Sequence, residues 1–228
     1  MAPSDLILAV DQGSSATKAL LVSDDGSAIA TATTAVTSTF PHPGWVEQEP
    51  LEIWRSVQAA VTSCLHAASA ARISAVALTN QRESLLLWDR RTGEPLSPLI
   101  SWQEQRTASA CAALLDAGHG ATVRERTGLP LDPMFSATRA RWLLDTVDPQ
   151  RHRARAGELC LGTVDAWLLS RLGGQPVIEV GNASRTQLLN LHTRQWDTTL
   201  LDLFDIPAAA LPRVVSSIGP FPAITGLA

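Results

Sequence analysis

This chain of 228 residues has few cysteines, one lysine and no tyrosine, which limits the kinds of disulfide, metal and binding site that it can form. The three cysteines, Cys64, Cys111 and Cys160, are few, odd in number and far apart. Such spacing supports neither a disulfide framework nor a zinc site, so we expect buried thiols in a reducing cytoplasm. Tyrosine is absent altogether, and Lys18 is the single lysine among many arginines.

Long apolar runs and strong net charge are also missing. No run approaches the roughly 20 apolar residues that a membrane span needs, and the N-terminus lacks the basic segment and apolar core of a secretion signal. The net charge of −4 gives no reason to expect nucleic acid or an anionic membrane as a partner. With 45% hydrophobic and 18% charged residues, the composition is that of a soluble globular protein, expected in the cytoplasm.

The histidines and the densest basic run are interpreted as structural. The five histidines are scattered without metal-ligand spacing, and none has an obvious nucleophile beside it. The run Arg151-His152-Arg153-Ala154-Arg155 is expected to be the exposed face of a short helix. Nucleic-acid binding there is the weaker interpretation, because the rest of the chain is acidic.

The stretch from residue 6 to residue 22 carries the clearest local signal. An apolar run ends at Asp11, passes through a polar turn, and becomes apolar again after Lys18. This pattern predicts two strands joined by a tight turn. The turn residues that suit an anion are Gly13, Ser14, Ser15 and Thr17. Together with a cation and a carboxylate that can hold a metal through water, they suit a polyphosphate with magnesium. An ordinary hairpin with a polar tip is the alternative.

Further along the chain, periodicity predicts a mixed α/β architecture. A third strand is expected over residues 27–36, and Pro50 opens a long amphipathic helix. Residues 73–79 are expected to form a buried strand because they are apolar almost throughout. Helices are expected over 103–117 and 136–147, the second capped by Ser136. Three strands joined by hairpins, followed by a helix, a strand and more helices, predict a sheet with antiparallel and parallel parts, flanked by helices.

Two further places combine residues that suit a polyhydroxylated ligand. Arg82 and Glu83 follow the predicted strand 73–79 and offer fork-like donors beside an acceptor. The alternative is a structural ion pair or a solvated turn. Trp102 can pack on the carbon face of a polyol while its N–H donates outward, although tryptophan also serves as ordinary packing.

Taken together, these segments resemble the N-terminal half of the FGGY carbohydrate kinases, and the glycerol kinases among them. The matching segments are Asp11-Gln12-Gly13-Ser14-Ser15, the run from Pro43 to Trp54, Thr79-Asn80-Gln81-Arg82-Glu83, the run from Gly162 to Leu168, and Asn182-Ala183-Ser184-Arg185-Thr186. They occur in the family's order over almost the whole chain. The resemblance implies a ribonuclease H-like, actin-like fold and one N-terminal domain over residues 1–228.

The resemblance also implies an activity and cofactors. The reaction would be the ATP-dependent phosphorylation of glycerol or a related polyol or sugar, with Mg²⁺. Asp11 would hold the magnesium through water, while Gly13, Ser14, Ser15 and Lys18 would contact the ATP phosphates. The family's glycerol kinases usually have arginine at the place of Lys18.

The same resemblance assigns the substrate side. Arg82 and Glu83 would hydrogen-bond to substrate hydroxyls, and Trp102 would pack against the carbon chain. Met134 stands where glycerol kinases place a tyrosine that contacts glycerol, and no tyrosine in this chain can replace it. In the same segment, Arg139 stands where the family signature usually has lysine.

Two parts of the family's machinery are not in this chain. The catalytic aspartate that takes the hydroxyl proton is expected beyond residue 228, as is the domain that binds the adenosine part of ATP. We therefore expect the isolated chain to fold, to bind polyol weakly and not to turn over ATP. The alternatives are a kinase of another substrate, such as xylulose, erythritol or gluconate, and a non-catalytic binding or assembly module with the same fold. A lone domain can also associate with a second copy of itself.

Overall fold

The computed structural model describes residues 5–67, 72–219, 221, 223–224 and 227. The chain forms two compact units. The first unit consists of Met1–Ser38, Gln48–Gln81 and Thr225–Ala228, and the second of Thr39–Glu47 and Arg82–Ile224.

The secondary structure begins with a run of strands and continues with a mixture of helices and short strands. The strands are β1 (Asp5–Gln12), β2 (Ala16–Val22), β3 (Ala28–Ala35), β4 (Glu47–Gln48), β5 (Arg72–Asn80), β6 (Leu85–Asp89), β7 (Leu99–Ile100), β8 (Leu159–Thr163), β9 (Val177–Glu179), β10 (Leu189–Asn190), β11 (Gln195–Trp196) and β12 (Arg213–Val215). The helices are α1 (Pro50–His66), α2 (Ala108–Asp116), α3 (Gly120–Thr127), α4 (Ser136–Val147), α5 (His152–Arg155), α6 (Val164–Gly173), α7 (Val180–Ser184) and α8 (Thr198–Leu203), with a short 3-10 turn at Ala208–Ala210.

The first unit is a four-stranded sheet covered on one face by α1. Its strand order is β3-β2-β1-β5, with the first three strands antiparallel and β5 parallel to β1. The apolar stripe of α1 is buried against this sheet, and Pro50 begins the helix, where its missing N–H costs no hydrogen bond. The predicted hairpin, third strand and mixed pairing are therefore confirmed.

The prediction that residues 73–79 form a buried strand is wrong. In β5, Ser74, Ala75, Ala77 and Thr79 are exposed, and the residues between them are half buried. The exposure of these residues follows from the position of β5 in the sheet. β5 is the last strand of the described sheet, and α1 packs on β2, β3 and β1. An apolar sequence identifies a strand, but it does not show which faces are covered.

The second unit has a separate core beneath its own sheet. Strands β7, β6 and β8 are neighbours in that order and antiparallel, and β9 pairs in parallel with β12. Helix α4 packs against β6, and Leu143, Leu144, Leu161 and Phe204 belong to the buried core. Cys111 and Cys160 are buried in this unit and Cys64 is buried in the first, all as free thiols, as predicted.

Three local predictions in the second unit need correction. The helix expected from residue 103 begins only at Ala108, because the Glu104 carboxylate accepts the backbone N–H groups of residues 105 and 106 and forms a turn first. Ser136 does not cap α4; its hydroxyl donates to the carbonyl of Glu83 instead. Arg151 is buried rather than exposed, since its guanidinium binds the carboxylates of Asp145 and Asp205.

Among the described residues, no helix is long and apolar enough to cross a membrane.

Candidate functional site

The hairpin in the first unit brings Asp11 and Lys18 face to face. The two residues are direct partners in the β1–β2 register, and Thr79 is the partner of Asp11 on β5. Both Asp11 and Lys18 are exposed, whereas Gln12 and Thr17, the next pair along, are fully buried on the opposite face. The expectation that Thr17 contributes to an anion site is therefore wrong, because its hydroxyl is bonded to that of Ser56 in the core. Because side chains alternate between faces along a strand, the two charges lie on the face that α1 does not cover.

A shallow depression of about 330 Å³ lies on this exposed face. Its polar lining comes from Asp11, Lys18, Thr31 and Thr79, and its apolar lining from small or aliphatic residues of β1, β2 and β5. The exposed face thus combines an acid, a single cation and hydroxyls beside an apolar floor.

The tip of the hairpin is a tight turn that favours glycine. The N–H of Gly13 donates to the carbonyl of Ala16 at 2.9 Å, and a Cβ at Gly13 would lie 3.1 Å from that oxygen. Ser14 is half buried and Ser15 exposed beside it. The turn therefore presents a hydroxyl to solvent, as an anion site requires.

Three buried glutamines support the turn from behind, and the sequence analysis did not single them out. Gln81 donates from Nε2 to the side-chain oxygens of Gln12 at 3.1 Å and Gln48 at 2.8 Å. Gln48 in turn donates to the carbonyl of Ser14 at 2.7 Å, and the Ser14 hydroxyl donates to Oε1 of Gln81 at 3.3 Å. These amides bind one another and the turn backbone, so they determine the shape of the tip without any net charge.

The donor set fits magnesium only through water. Among the described residues, no group of three or more histidine, cysteine, aspartate or glutamate side chains could hold a metal ion. Asp11 is a single exposed carboxylate. Magnesium keeps several waters and is often bound by one carboxylate together with substrate phosphates, which this arrangement permits.

In the second unit, Glu83 is held in an unusual conformation. Its backbone has φ of 64°, in the left-handed region that non-glycine residues seldom adopt. Its carbonyl accepts from the Ser136 hydroxyl at 2.8 Å, and its Oε1 accepts from Nε of Arg185 at 2.6 Å. Arg82 beside it is exposed. One member of the predicted pair is thus held firmly, while the other faces solvent.

Trp102 and Met134 belong to the same unit. The backbone N–H of Trp102 donates to the hydroxyl of Ser84 at 3.0 Å, which joins the tryptophan to the Arg82–Glu83 segment. The Trp102 side chain remains partly open, with 37% of the residue exposed. Met134 is half buried, and its N–H donates to the Asp132 carboxylate at 2.8 Å.

Arg139, fully buried on α4, lies at the centre of these segments. Its five N–H donors bind five backbone carbonyls, those of Glu83, Ile100, Ser101, Met134 and Phe135. Burial lowers the pKa of the guanidinium to about 9, although Glu104 and Glu83 oppose that shift. It therefore stays charged at neutral pH.

A second arginine of this unit is buried beside two acids and two indoles. The guanidinium of Arg106 lies 2.7 Å from Glu47 and 2.8 Å from Glu104, and 3.7 Å above the ring of Trp45 and 4.5 Å from that of Trp142. Burial alone would raise the pKa of Glu104, but hydrogen bonds from Arg106 and from backbone N–H groups outweigh it and lower the pKa below its ordinary value.

The residues that the sequence analysis missed are those behind the site. Arg185 lies within Asn182–Thr186, a segment that carries the family resemblance, so the motif was visible but not its contact with Glu83. The departure at Arg139 was also visible, but its five carbonyl partners come from three separate segments. Contacts of that kind leave no periodic signal in a sequence.

Comparison with known proteins identifies the family. Residues 6–225 match the model of the FGGY family of carbohydrate kinases, N-terminal domain. The chain is 49% identical over 217 residues to a glycerol kinase of Aromatoleum aromaticum, covering 93% of this chain and 44% of that protein. The chain therefore spans less than half the length of this relative.

Solved structures agree on the fold. A crystal structure of Plasmodium falciparum glycerol kinase with ADP superposes with a TM-score of 0.92 at 25% identity, covering 98% of this chain and 45% of that one. A gluconate kinase from Lactobacillus acidophilus has a TM-score of 0.87 at 24% identity, covering 97% of this chain and 44% of that one, and supports the fold alone. The predicted actin-like α/β fold is confirmed. The chain belongs to the FGGY family of carbohydrate kinases and corresponds to its N-terminal domain.

Proposed function

We propose that this chain carries the phosphate-side hairpin and the substrate contacts of an ATP-dependent kinase of glycerol or a related polyol or sugar. The proposal is carried by two clusters of candidate residues, one in each unit, in a chain that is 49% identical to a glycerol kinase. Asp11 and Lys18 lie together in the first unit. In the second unit, Arg139 hydrogen-bonds to the carbonyls of Glu83 and Met134 and to that of Ser101, the residue before Trp102.

On the phosphate side, the exposed residues face a ligand that is strongly anionic. Lys18 supplies positive charge, and the turn at Gly13, Ser14 and Ser15 supplies backbone N–H and hydroxyl donors. Asp11 would hold Mg²⁺ through water, and the ion when bound would neutralise charge on the phosphates. Phosphoryl transfer depends mainly on such positioning and charge stabilisation, so these residues suffice for one side of the reaction.

On the substrate side, we assign binding of hydroxyls to Arg82 and Glu83. Because Arg185 holds Oε1 of Glu83, the second carboxylate oxygen can accept from a substrate hydroxyl in a defined direction. Trp102 offers an apolar surface to the carbon chain. Transfer forms a bond from the substrate oxygen to the γ-phosphorus and breaks the bond to the β-bridging oxygen, while the hydroxyl proton passes to a base. We assign that base to none of the residues in this chain, and propose that the complete protein supplies it from a second, nucleotide-binding domain.

Met134 keeps the choice of substrate open. A thioether accepts hydrogen bonds only weakly, so this position contributes bulk rather than a polar contact. Xylulose, erythritol and gluconate are therefore retained as alternatives to glycerol, and a non-catalytic binding module with this fold is the alternative to an enzyme.

The test has two parts. The complete protein encoded by the reading frame that contains this chain is assayed for ADP release with glycerol, erythritol, xylulose and gluconate. We expect glycerol to give the highest kcat/KM. The 228-residue chain alone is expected to release no ADP with any of them. A complete protein that is inactive with all four, or a reading frame that ends at residue 228, would contradict the kinase proposal and favour the binding module.

A further inference from the structure

We propose that Arg139 is a positioning residue that aligns the three substrate-contacting segments of the second unit. This inference rests on the proposed function. It extends that function from the residues that contact substrate to a buried residue that does not contact it.

The geometry supports this role because all five N–H donors of the guanidinium are used, each on a backbone carbonyl. Two of these carbonyls belong to candidate substrate residues, Glu83 and Met134, and a third belongs to Ser101, immediately before Trp102. The segments are some 50 residues apart in sequence at the widest separation. A rigid planar fork that binds all three determines their relative positions.

Packing alone does not explain a charge at this position. A buried cation costs free energy unless it is compensated, and an apolar side chain of similar volume can fill a core at lower cost. The contacts of Arg139 are carbonyls rather than a carboxylate, so the residue is not half of a simple ion pair. The carbonyl of Glu83, whose φ is 64°, is among them, so the cation also supports a strained backbone.

Arginine and lysine differ at this position in the number and the geometry of their hydrogen-bond donors. Lysine has three donors and no fixed plane, so Arg139→Lys can satisfy at most three of the five carbonyls. Arg139→Met keeps similar bulk and satisfies none. Arg141 on the same helix provides a matched control, because its side chain is 49% exposed and pairs only loosely with Asp145, at 3.8 Å.

The first experiment measures steady-state kinetics of the complete protein and its Arg139→Lys, Arg139→Met, Arg141→Lys and Arg141→Met variants. We expect the KM for the polyol to rise about 3- to 10-fold in Arg139→Lys and further in Arg139→Met, because misaligned segments weaken about one substrate hydrogen bond. The KM for ATP and both Arg141 variants should stay near wild type. A purely structural role would instead lower the active fraction, and so kcat, with the polyol KM unchanged, and that result overturns the proposal.

The second experiment separates this proposal from the kinase assignment. The ¹⁵N-labelled indole N–H signal of Trp102 is observed by NMR in the 228-residue chain and assigned with Trp102→Phe. We expect the signal to shift in Arg139→Lys and to be unchanged in Arg141→Lys. If the complete protein phosphorylates no polyol but the signal shifts, the kinase assignment fails and the positioning role stands. If the Arg139→Lys chain is folded and its Trp102 indole signal does not shift, the positioning role is contradicted.

Discussion

Both units place a buried polar network behind candidate site residues, but the two networks differ in charge. In the first unit, the side chains of Gln12, Gln48 and Gln81 bind one another and the hairpin turn, and the network is neutral. In the second unit, buried arginines do the comparable work, Arg139 on backbone carbonyls and Arg106 on carboxylates.

The difference follows the chemistry of the proposed ligands. A polyphosphate needs positive charge directly facing it, so Lys18 is exposed and the network behind it can be neutral. A polyol is uncharged, so it needs well-placed donors and acceptors rather than net charge. In the second unit, the guanidinium of Arg139 is buried behind the candidate contacts, where it can position several carbonyls at once.

The largest effect is expected from breaking the charged network at Glu104. The change Glu104→Gln removes the buried acid that accepts from Arg106 and from the backbone of Val46. Arg106 keeps Glu47 as a partner, so we expect the lower end of the cost of breaking a buried pair, a loss of about 3 kcal/mol in the free energy of unfolding. Urea unfolding at pH 7, followed by tryptophan fluorescence, measures it. The exposed Glu125→Gln on α3 is the control and should change little.

The pH dependence of that loss gives a second measurement on the same variant. The pKa of Glu104 is lowered in the folded protein from its ordinary 4.5. Its stabilising contribution is therefore complete above pH 4.5 and is lost as the pH falls through the lowered pKa. The difference between wild type and Glu104→Gln should shrink below pH 4.5. A difference that stays constant down to pH 3 contradicts the charged interaction as its source.

A smaller effect is expected from breaking the neutral network. Gln81→Leu leaves the side-chain oxygens of Gln12 and Gln48 without their donor, at a cost of about 2 kcal/mol. Thermal and urea unfolding by far-UV circular dichroism measure the change, with the half-buried Gln58→Leu on α1 as the control. Unlike the loss in Glu104→Gln, this loss should not vary between pH 4 and 7, because no amide titrates there. Equal losses in both glutamine variants would show that the network has no special role.

The sequence predicted elements of both units well where the signal is local. The hairpin, the helix beginning at Pro50 and the helix over residues 136–147 follow from periodicity and from the preference of proline for the first turn, and the structure has them at nearly the same residues. The error at β5 is of another kind. Apolar residues predicted burial, but the strand is at the edge of the described sheet, and its position in a sheet is not encoded locally.

The supporting residues were not predictable for the same reason. Ser136 was expected to cap α4 because serine precedes an apolar period. Its hydroxyl instead donates to the carbonyl of Glu83, 53 residues earlier. Arg151 was expected to be exposed because it lies in a basic run, yet it is buried against Asp145 and against Asp205, which is distant in sequence. Exposed candidates such as Lys18 and Arg82 were identified from residue type, local pattern and the family resemblance, whereas buried partners require the tertiary contacts.

The smallest predicted effect concerns Met134, the position where the family resemblance implies a tyrosine that contacts glycerol. Met134→Tyr adds a phenolic hydroxyl at a half-buried position whose backbone is held by Asp132 and Arg139. One added hydrogen bond to the substrate contributes about 0.5–1.5 kcal/mol, so the KM for glycerol of the complete protein should fall by about 2- to 10-fold.

Met134→Phe is the matched control for that substitution, because it adds the ring without the hydroxyl. If the phenylalanine variant lowers the glycerol KM equally, packing rather than hydrogen bonding accounts for the change. If the tyrosine variant leaves the glycerol KM unchanged but alters that for xylulose or gluconate, glycerol is not the preferred substrate. The result thus tests, at position 134, the contrast between the two units. A neutral ligand in a positioned site should respond to a single hydroxyl, whereas the KM for ATP, whose phosphates are assigned to the hairpin of the first unit, should not change.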